Sequence, residues 1–255
     1  MGGTRALPRL VVALRFLTVV PVPGRARNGR AALGSAAWWF PPVGLALGLV
    51  LAGADHVTSR LFPPLLSAAL VVALWKILTG GLHLDGLADC LDGLAGRDIP
   101  HRLAIMRDSR IGVFGAVGVM LAVVLSLAAL AGLAGRPRAS ALLLAPVVGR
   151  LAPLVAGAIF PAAPLSTGAG AAFLGSLPRA AGFLEGAVVM VLAGLVLGPR
   201  GVAMVATGLG AAMIWSAIVI RRVGGLTGDS LGAGVELAEL GALVAASADV
   251  GLGGG

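Results

Sequence analysis

The sequence has little charge, few aromatic side chains and only one cysteine. Charged residues make up 12% of the 255 positions and aromatic residues 4%, and tyrosine is missing altogether. So little charge, at a mean hydropathy of +1.00, excludes an ordinary soluble domain. The single Cys90 excludes an intrachain disulfide and is predicted to be a packing residue. Basic residues are not interleaved with aromatic ones, which argues against nucleic acid as a partner.

Long apolar stretches fill most of the chain, and several approach the ~20 residues needed to cross a bilayer. They predict an all-α, polytopic integral membrane bundle of about six to seven helices, forming one domain over residues 1–255. Residues 1–35 are predicted to be an interfacial segment, because the stretch 6–20 carries Arg9 and Arg15. This segment lacks a small-residue cleavage site, so we expect it to remain in the mature protein. The predicted spans are 36–54, 61–80, 111–134, 140–160, 181–198 and 202–220.

The arginines predict the orientation of the bundle. If the loop at 21–35 is inside, ten loop arginines lie on the inner side and four on the outer side, which fits the positive-inside rule. The segments 81–110 and 221–240 are then cytoplasmic loops of a cell-membrane protein, and the net charge of +8 also attracts anionic lipid. The inner set is Arg25, Arg27, Arg30, Arg97, Arg102, Arg107, Arg110, Arg179, Arg221 and Arg222. The outer set is Arg60, Arg136, Arg138 and Arg200.

The acidic residues are concentrated in the same two segments. Eight of the eleven carboxylates in the chain are Asp85, Asp89, Asp92, Asp98, Asp108, Asp229, Glu236 and Glu239. An even number of predicted spans separates the two segments, so we expect both to face the same side of the membrane. Both also contain Gly-Gly-Leu-x-x-Asp, at 80–85 and at 224–229. This repeat fits two glycine turns that each present one carboxylate.

Asp85, Asp89 and Asp92 are spaced i, i+4, i+7, which places them on one face of a helix. Neighbouring carboxylates repel one another unless a cation lies among them. An oxygen-only set suits Mg²⁺, which takes one or two carboxylates and completes its shell with water and substrate phosphates. The stripe therefore predicts a Mg²⁺ site at the membrane surface. The alternative is helix capping, as expected of Asp98 before Pro100, but capping needs one acid per helix and does not explain three on one stripe.

Polar residues follow this stripe. Guanidinium groups bind phosphate bidentately, so arginines beside metal-binding acids indicate phosphoryl chemistry on a diphosphate. The residues concerned are the run Arg107, Asp108, Ser109 and Arg110. For its two arginines, the alternative is ordinary anchoring of the protein at the inner membrane surface. Arg150 lies near the middle of a predicted span, where a charge is expensive and usually functional. It is expected to face the same cavity, unless that span begins later in the chain.

Longer motifs occur in order along the whole chain. They are Phe16-Leu17-Thr18-x-x-Pro21-Val22-Pro23, Phe40-Pro41-Pro42-Val43-Gly44, Gly81-Leu82-His83-Leu84-Asp85-Gly86-Leu87-Ala88-Asp89 continuing to Asp92-Gly93, Ile105-Met106-Arg107-Asp108-Ser109-Arg110-Ile111-Gly112, and Gly225-Leu226-Thr227-Gly228-Asp229. In these motifs the sequence resembles the cobalamin synthase family, the adenosylcobinamide-GDP ribazoletransferases. The resemblance implies a multi-pass membrane enzyme of late vitamin B12 assembly with Mg²⁺ as its cofactor. It also implies that the enzyme joins adenosylcobinamide-GDP to α-ribazole, or to its 5′-phosphate, and releases GMP.

The resemblance gives the candidate residues their expected roles. Mg²⁺ on Asp85, Asp89 and Asp92 would neutralise the diphosphate, and Arg107 and Arg110 would hold its non-bridging oxygens. His83, or a carboxylate such as Asp92 that the metal leaves free, would take the proton of the attacking hydroxyl. Otherwise His83 is a hydrogen-bonded core histidine. Asp229 would complete the metal shell or orient the acceptor, and the remaining substrate contacts are assigned to Asp108, Ser109, Arg150 and Thr227.

Two other classes of protein are compatible with parts of this pattern. A phospholipid enzyme that transfers a phospho-alcohol from a CDP-activated precursor also uses helix-borne aspartates. Its pattern has Asp-Gly followed by Ala-Arg, whereas here Asp89 follows Ala88 and the later acid comes too early. A transporter would place ionisable groups near the bilayer midplane, whereas these acids lie in loops and helix ends on one side. The oligomeric state, including a homo-oligomer, stays open.

Overall fold

A computed structural model describes residues 3–22, 33–164 and 167–248. These residues form an all-α bundle, with one isolated β-bridge between Ala162 and Leu226. Arg25, Arg27 and Arg30, which the orientation prediction counts on the inner side, lie outside the described residues. The helices are α1 Gly3–Leu17, α2 Leu33–Ala36, α3 Phe40–Leu61, α4 Pro64–Leu78, α5 Leu82–Leu94, α6 Ile99–Ile105, α7 Val113–Ala131, α8 Gly135–Ile159, α9 Gly168–Ser176, α10 Arg179–Val223 and α11 Gly228–Ser247.

The described helices confirm the prediction of a polytopic membrane bundle. Five segments are long and apolar enough to cross a membrane, and α4 with α5 adds a sixth if the pair is one broken span. The two helices of that pair meet at a bend of 86°. At the bend Gly80 and Gly81 have φ values of 63° and 67°, which glycine adopts without the steric cost of a side chain. As a result α5 turns across the end of the bundle instead of continuing along α4.

Helix α10 is a hairpin rather than one straight rod. Gly198 interrupts it with φ 63° and ψ −148° and is followed by Pro199. A Cβ on Gly201 would lie 2.3 Å from the carbonyl oxygen of Ala193, whereas eight residues of continuous helix rise ~12 Å. The two arms therefore fold back on each other, as the two separate spans predicted for this region require.

Helix α11 corrects the prediction of a loop over residues 221–240. From Gly228 onward the chain is helical, and this helix is itself apolar and long enough to cross a membrane. The prediction was wrong for 228–240 because Glu236 and Glu239 give the segment a polar pattern. Both glutamates are buried, with 3% and 2% of their surface exposed, and both are paired with cations in the interior.

Glycines allow the helices to approach closely, as is typical of packing in membranes. A Cβ on Gly44 or Gly48 of α3 would lie within 2.7 Å of a backbone oxygen of α8. The same holds between α5 and α11, where a Cβ on Gly86 would lie 2.7 Å from the carbonyl oxygen of Asp229. This last contact brings the two acidic segments together, and it confirms that they share one end of the bundle.

Candidate active site

Helix α5 presents Asp85 and Asp89 to the end of the bundle. The helix begins after Gly81, a left-handed N-cap residue, and continues to Leu94, so the predicted stripe does lie on a helix. Asp85 and Asp89 line a cavity of about 220 Å³, termed here the charged cavity. Its other polar lining residues are Arg107, Asp108, Ser109 and Arg110. The structure thus brings two acids of the stripe next to the predicted phosphate-binding segment.

Asp92 lies against α7 instead of lining this cavity. Its Oδ2 accepts a hydrogen bond from the Gly112 N–H at 2.7 Å, and its Oδ1 accepts one from the Gly115 N–H at 2.9 Å. These N–H groups belong to the start of α7, where backbone donors have no partner within the helix. Asp92 therefore anchors α7 to α5. Its roles as a metal ligand and as a catalytic carboxylate stay predictions, and this geometry does not favour them.

The donors around the charged cavity fit Mg²⁺ in their chemistry. Within residues 3–22, 33–164 and 167–248, no group of three His, Cys, Asp or Glu side chains is arranged to hold an ion by itself. Mg²⁺ needs only one or two carboxylates when water and substrate phosphates supply the other oxygens. Asp85 and Asp89 provide that minimal set, with arginines beside them for the phosphates. The binding of Mg²⁺ itself stays a prediction.

Arg110 and Asp108 form an ion pair at the rim of the charged cavity. The Arg110 Nη2 lies 2.5 Å from the Asp108 Oδ2, and the Arg110 side chain is 86% exposed. Hydrogen bonds from Arg110 lower the pKa of Asp108 to about 2. Asp108 is therefore ionised at neutral pH and is a poor acceptor for a proton. Asp108 pairs with Arg110 at this rim, and its predicted contact with substrate stays a prediction.

A second cavity, of about 340 Å³, adjoins the first. It is termed here the apolar cavity because most of its lining residues are apolar. Its charged and polar lining side chains are His83, Asp85, Arg107, Thr167, Thr227 and Asp229. Asp85, Met106 and Arg107 line both cavities. The two cavities therefore meet at a carboxylate and a guanidinium group.

His83 lies in the wall of the apolar cavity and is only 4% exposed. Its Nδ1 atom is buried and has no hydrogen-bond partner in the described part of the chain. Buried polar atoms without a partner are uncommon in folded proteins, and this residue lines a cavity one helical turn or less from Asp85. The unpartnered Nδ1 argues against a hydrogen-bonded core histidine, and a direct role of His83 in the chemistry stays a prediction.

Thr227 and Asp229 lie at the start of α11. The Ser230 N–H donates to the Thr227 Oγ1 at 3.1 Å, and the Thr227 N–H donates to the Ser230 Oγ at 2.8 Å, which is a reciprocal cap. The turn before it is fixed by hydrogen bonds at 2.9 Å between Leu226 and the 161–163 segment. The Thr227 hydroxyl thus has a structural role as well as a place in the cavity wall, and the cap holds Asp229 opposite α5.

A buried ion network was missed by the sequence analysis. The Lys76 Nζ of α4 lies 2.6 Å from Glu236 Oε2 and 3.2 Å from Glu239 Oε2, both on α11. Arg150 of α8 is fully buried and pairs with the other oxygen of Glu239. Arg150 lines neither cavity, so the geometry does not favour its predicted contact with substrate. In the sequence, the signals that could have indicated this network are a lysine within an apolar span and two glutamates three residues apart.

We expect Lys76→Met to destabilise the protein by about 3–5 kcal/mol, because two buried carboxylates would then share one cation. A loss of this size lowers the melting temperature by roughly 10 °C in a chain of this length. Thermal unfolding of the purified protein in detergent measures it. The double variant Lys76→Met/Glu236→Gln removes one charge of each sign and should recover most of the loss. A double variant no more stable than Lys76→Met would show that the network is not the cause.

The fold and the site together define a polytopic helical membrane protein with a cluster of ionisable groups at one end, around two adjoining cavities. The family model described as cobalamin-5-phosphate synthase matches residues 9–247. The chain belongs to this family and is an enzyme of it. This confirms the resemblance seen in the motifs, and it favours a cobalamin synthase over the phospholipid enzyme and the transporter.

Relatives of similar length support the same assignment. The adenosylcobinamide-GDP ribazoletransferase of Roseiflexus sp. (strain RS-1) is 38% identical, over 91% of this chain and 86% of the relative. The protein of the same name from Pseudomonas entomophila (strain L48) is 41% identical, over 91% of this chain and 96% of the relative. No solved structure matches the chain.

Proposed function

We propose that this protein joins adenosylcobinamide-GDP to α-ribazole, or to its 5′-phosphate, and releases GMP. The observation that carries the proposal is the pair of adjoining cavities that share Asp85 and Arg107. A transfer between two substrates needs two binding places that meet where the new bond forms. The family match and the names of the relatives support this pair of substrates.

The charged cavity suits the diphosphate of the activated substrate. Arg107 and Arg110 supply guanidinium groups that bind phosphate oxygens bidentately, and the ion pair with Asp108 sets the orientation of Arg110. When bound at Asp85 and Asp89, Mg²⁺ would neutralise charge on the diphosphate. The arginines would support the charge that builds on the leaving phosphate.

The acceptor hydroxyl must lose its proton as it attacks. Its oxygen forms a bond to the phosphorus on the cobinamide side, the bond from that phosphorus to the bridging oxygen breaks, and GMP leaves with that oxygen. We assign the proton to His83, which lines the apolar cavity two residues from Asp85, and the orientation of the hydroxyl to Asp229. Asp108 is a poor alternative because its pKa is lowered to about 2.

The assay for this function follows GMP. Purified protein is incubated with adenosylcobinamide-GDP, α-ribazole and Mg²⁺, and GMP and the joined corrinoid are separated by chromatography. We expect both products in equal amounts, only when both substrates are present, with loss on chelation of the metal and recovery on its return. GMP without the joined corrinoid would indicate a hydrolase and contradict the proposal.

We also infer that the end of the bundle with the two cavities faces the cytoplasm across the cell membrane, as the arginine distribution predicts. Single cysteines introduced in a Cys90→Ala background test this with a membrane-impermeant reagent. Arg97→Cys and Arg221→Cys, at exposed positions that line neither cavity, should be labelled from the cytoplasmic side, and Arg60→Cys from the other side. Labelling of positions 97 and 221 from opposite sides would rule out the topology.

A further inference from the structure

The two cavities differ in the chemistry of their walls. Five of the nine residues that line the charged cavity are Asp or Arg. The apolar cavity is lined mostly by apolar residues, among them three Phe and four Leu, and its ionisable groups are His83, Asp85, Arg107 and Asp229. Its volume of about 340 Å³ lies in the range typical of sites for small molecules, which are mostly apolar with a few convergent polar groups.

Three phenylalanines form a continuous stack in the wall of the apolar cavity. The ring centroids of Phe16 and Phe40 are 5.9 Å apart, and those of Phe40 and Phe173 are 5.3 Å apart at an interplanar angle of 11°. The rings come from α1, α3 and α9, so three segments far apart in the chain build this wall. Such packing makes the wall rigid and apolar, and it favours flat aromatic guests over charged ones.

We propose that the apolar cavity binds the aromatic base of the acceptor nucleoside, while the charged cavity binds the diphosphate of the donor. This inference rests on the proposed function and adds which substrate each cavity takes. The base of α-ribazole is a benzimidazole, which is uncharged at neutral pH and has little hydrogen-bonding capacity, so an apolar wall suits it. A diphosphate against the phenylalanines would lose its hydration without gaining partners for its charges.

The assignment also brings the reacting groups together. His83 and Asp229 line only the apolar cavity, and Asp89 lines only the charged cavity, whereas Asp85 and Arg107 line both. A nucleoside with its base among the phenylalanines presents its ribose to His83 and Asp229. The donor phosphorus then approaches past Asp85 and Arg107, where the two cavities join.

The start of α9 offers positions that can block the apolar cavity without disturbing the core. Ala169 and Thr167 both line this cavity and both are exposed, so Ala169→Trp or Thr167→Trp adds an indole at its mouth. Gly175, on the same helix, is exposed and lines neither cavity, and a Cβ there would meet nothing within 4 Å. Gly175→Trp is therefore the matched control, and Thr167→Trp is the second variant if Ala169→Trp does not fold.

Binding of α-ribazole alone is measured by calorimetry, without donor or turnover. We expect Ala169→Trp to weaken this binding at least ~10-fold, whereas Gly175→Trp binds as the wild type does. In the steady-state assay the KM for α-ribazole should rise by a similar factor. The KM for adenosylcobinamide-GDP should stay within about twofold of the wild-type value.

Two results would overturn the assignment. One is a rise in the KM for adenosylcobinamide-GDP with unchanged KM for α-ribazole. The other is the absence of any effect in folded Ala169→Trp and Thr167→Trp. Wild-type protein that binds α-ribazole, in a manner blocked by Ala169→Trp, but forms no joined product would refute the proposed function and keep the cavity assignment. If α-ribazole binds only in the presence of donor, the KM values for α-ribazole and for adenosylcobinamide-GDP test the cavity assignment in place of calorimetry.

Discussion

Asp85→Asn and Asp89→Asn should each lower kcat/KM for GMP release by at least ~1,000-fold, a loss of about 4 kcal/mol in transition-state stabilisation. These are the two carboxylates of α5 that line the charged cavity. Loss of either carboxylate charge should weaken the binding of Mg²⁺. The negative charge of the diphosphate would then be left without a cation to neutralise it. The measurement is the rate of GMP release by purified variants, with the amount of protein in the membrane fraction recorded beside it.

A matched control for these variants lies in the same segment. Asp98 caps α6, where its Oδ1 accepts a hydrogen bond from the His101 N–H at 2.9 Å, and it lines neither cavity. Asparagine is an equally good N-cap residue, so Asp98→Asn should keep both the fold and the activity. Near-normal turnover of Asp85→Asn or Asp89→Asn at ordinary Mg²⁺ would refute the assignment of metal to this pair.

The Asp92→Asn variant tests whether Asp92 binds metal or only anchors α7 to α5. Because both of its oxygens accept hydrogen bonds from the start of α7, Asp92→Asn should lower the melting temperature of the protein. The Mg²⁺ concentration for half-maximal activity should stay within about twofold of that of the wild type, unlike that of Asp89→Asn. A large rise in this concentration for Asp92→Asn would indicate that Asp92 is a metal ligand.

The features predicted correctly from the sequence are local ones. The stripe on α5 follows from helical spacing, and the turns at Gly80 and Gly224 follow from glycines, which the structure places at positive φ. The shared end of the two acidic segments follows from counting spans. Each of these needs only neighbouring residues or the parity of crossings, so no knowledge of packing was required.

The features that escaped prediction depend on contacts between distant segments. Lys76 and Glu236 form an ion pair across 160 positions of the chain, and only the arrangement of the helices in the bundle brings their side chains within reach. Asp92 has the spacing of a metal ligand, but the position of α7 decides which donors it meets. The phenylalanine stack of the apolar cavity is likewise built from α1, α3 and α9, whose separate sequences carry no mark of a shared wall.

Arg107→Gln should lower kcat/KM for the GDP-activated substrate roughly 30- to 1,000-fold, or about 2–4 kcal/mol, by analogy with removal of an oxyanion donor. Arg107 is exposed and lines both cavities. Its guanidinium group is therefore placed to contact the phosphoryl group where donor and acceptor meet. Lysine at this position keeps the charge and should recover much of the loss. Arg110→Gln should cost less, because Arg110 is 86% exposed and already paired with Asp108.

The competing explanation for both arginines is membrane topology, and Arg97 tests it. Arg97 lies in the same segment and is exposed but lines neither cavity, so Arg97→Gln removes the same topological charge without touching the site. This variant should keep its orientation and its kcat/KM, since several basic residues remain on that side. If Arg107→Gln and Arg110→Gln also stayed within about threefold of the wild type, a shift under ~0.7 kcal/mol, neither arginine would bind the substrate phosphates. Both would then belong, like Arg97, to the charges that orient the protein in the bilayer.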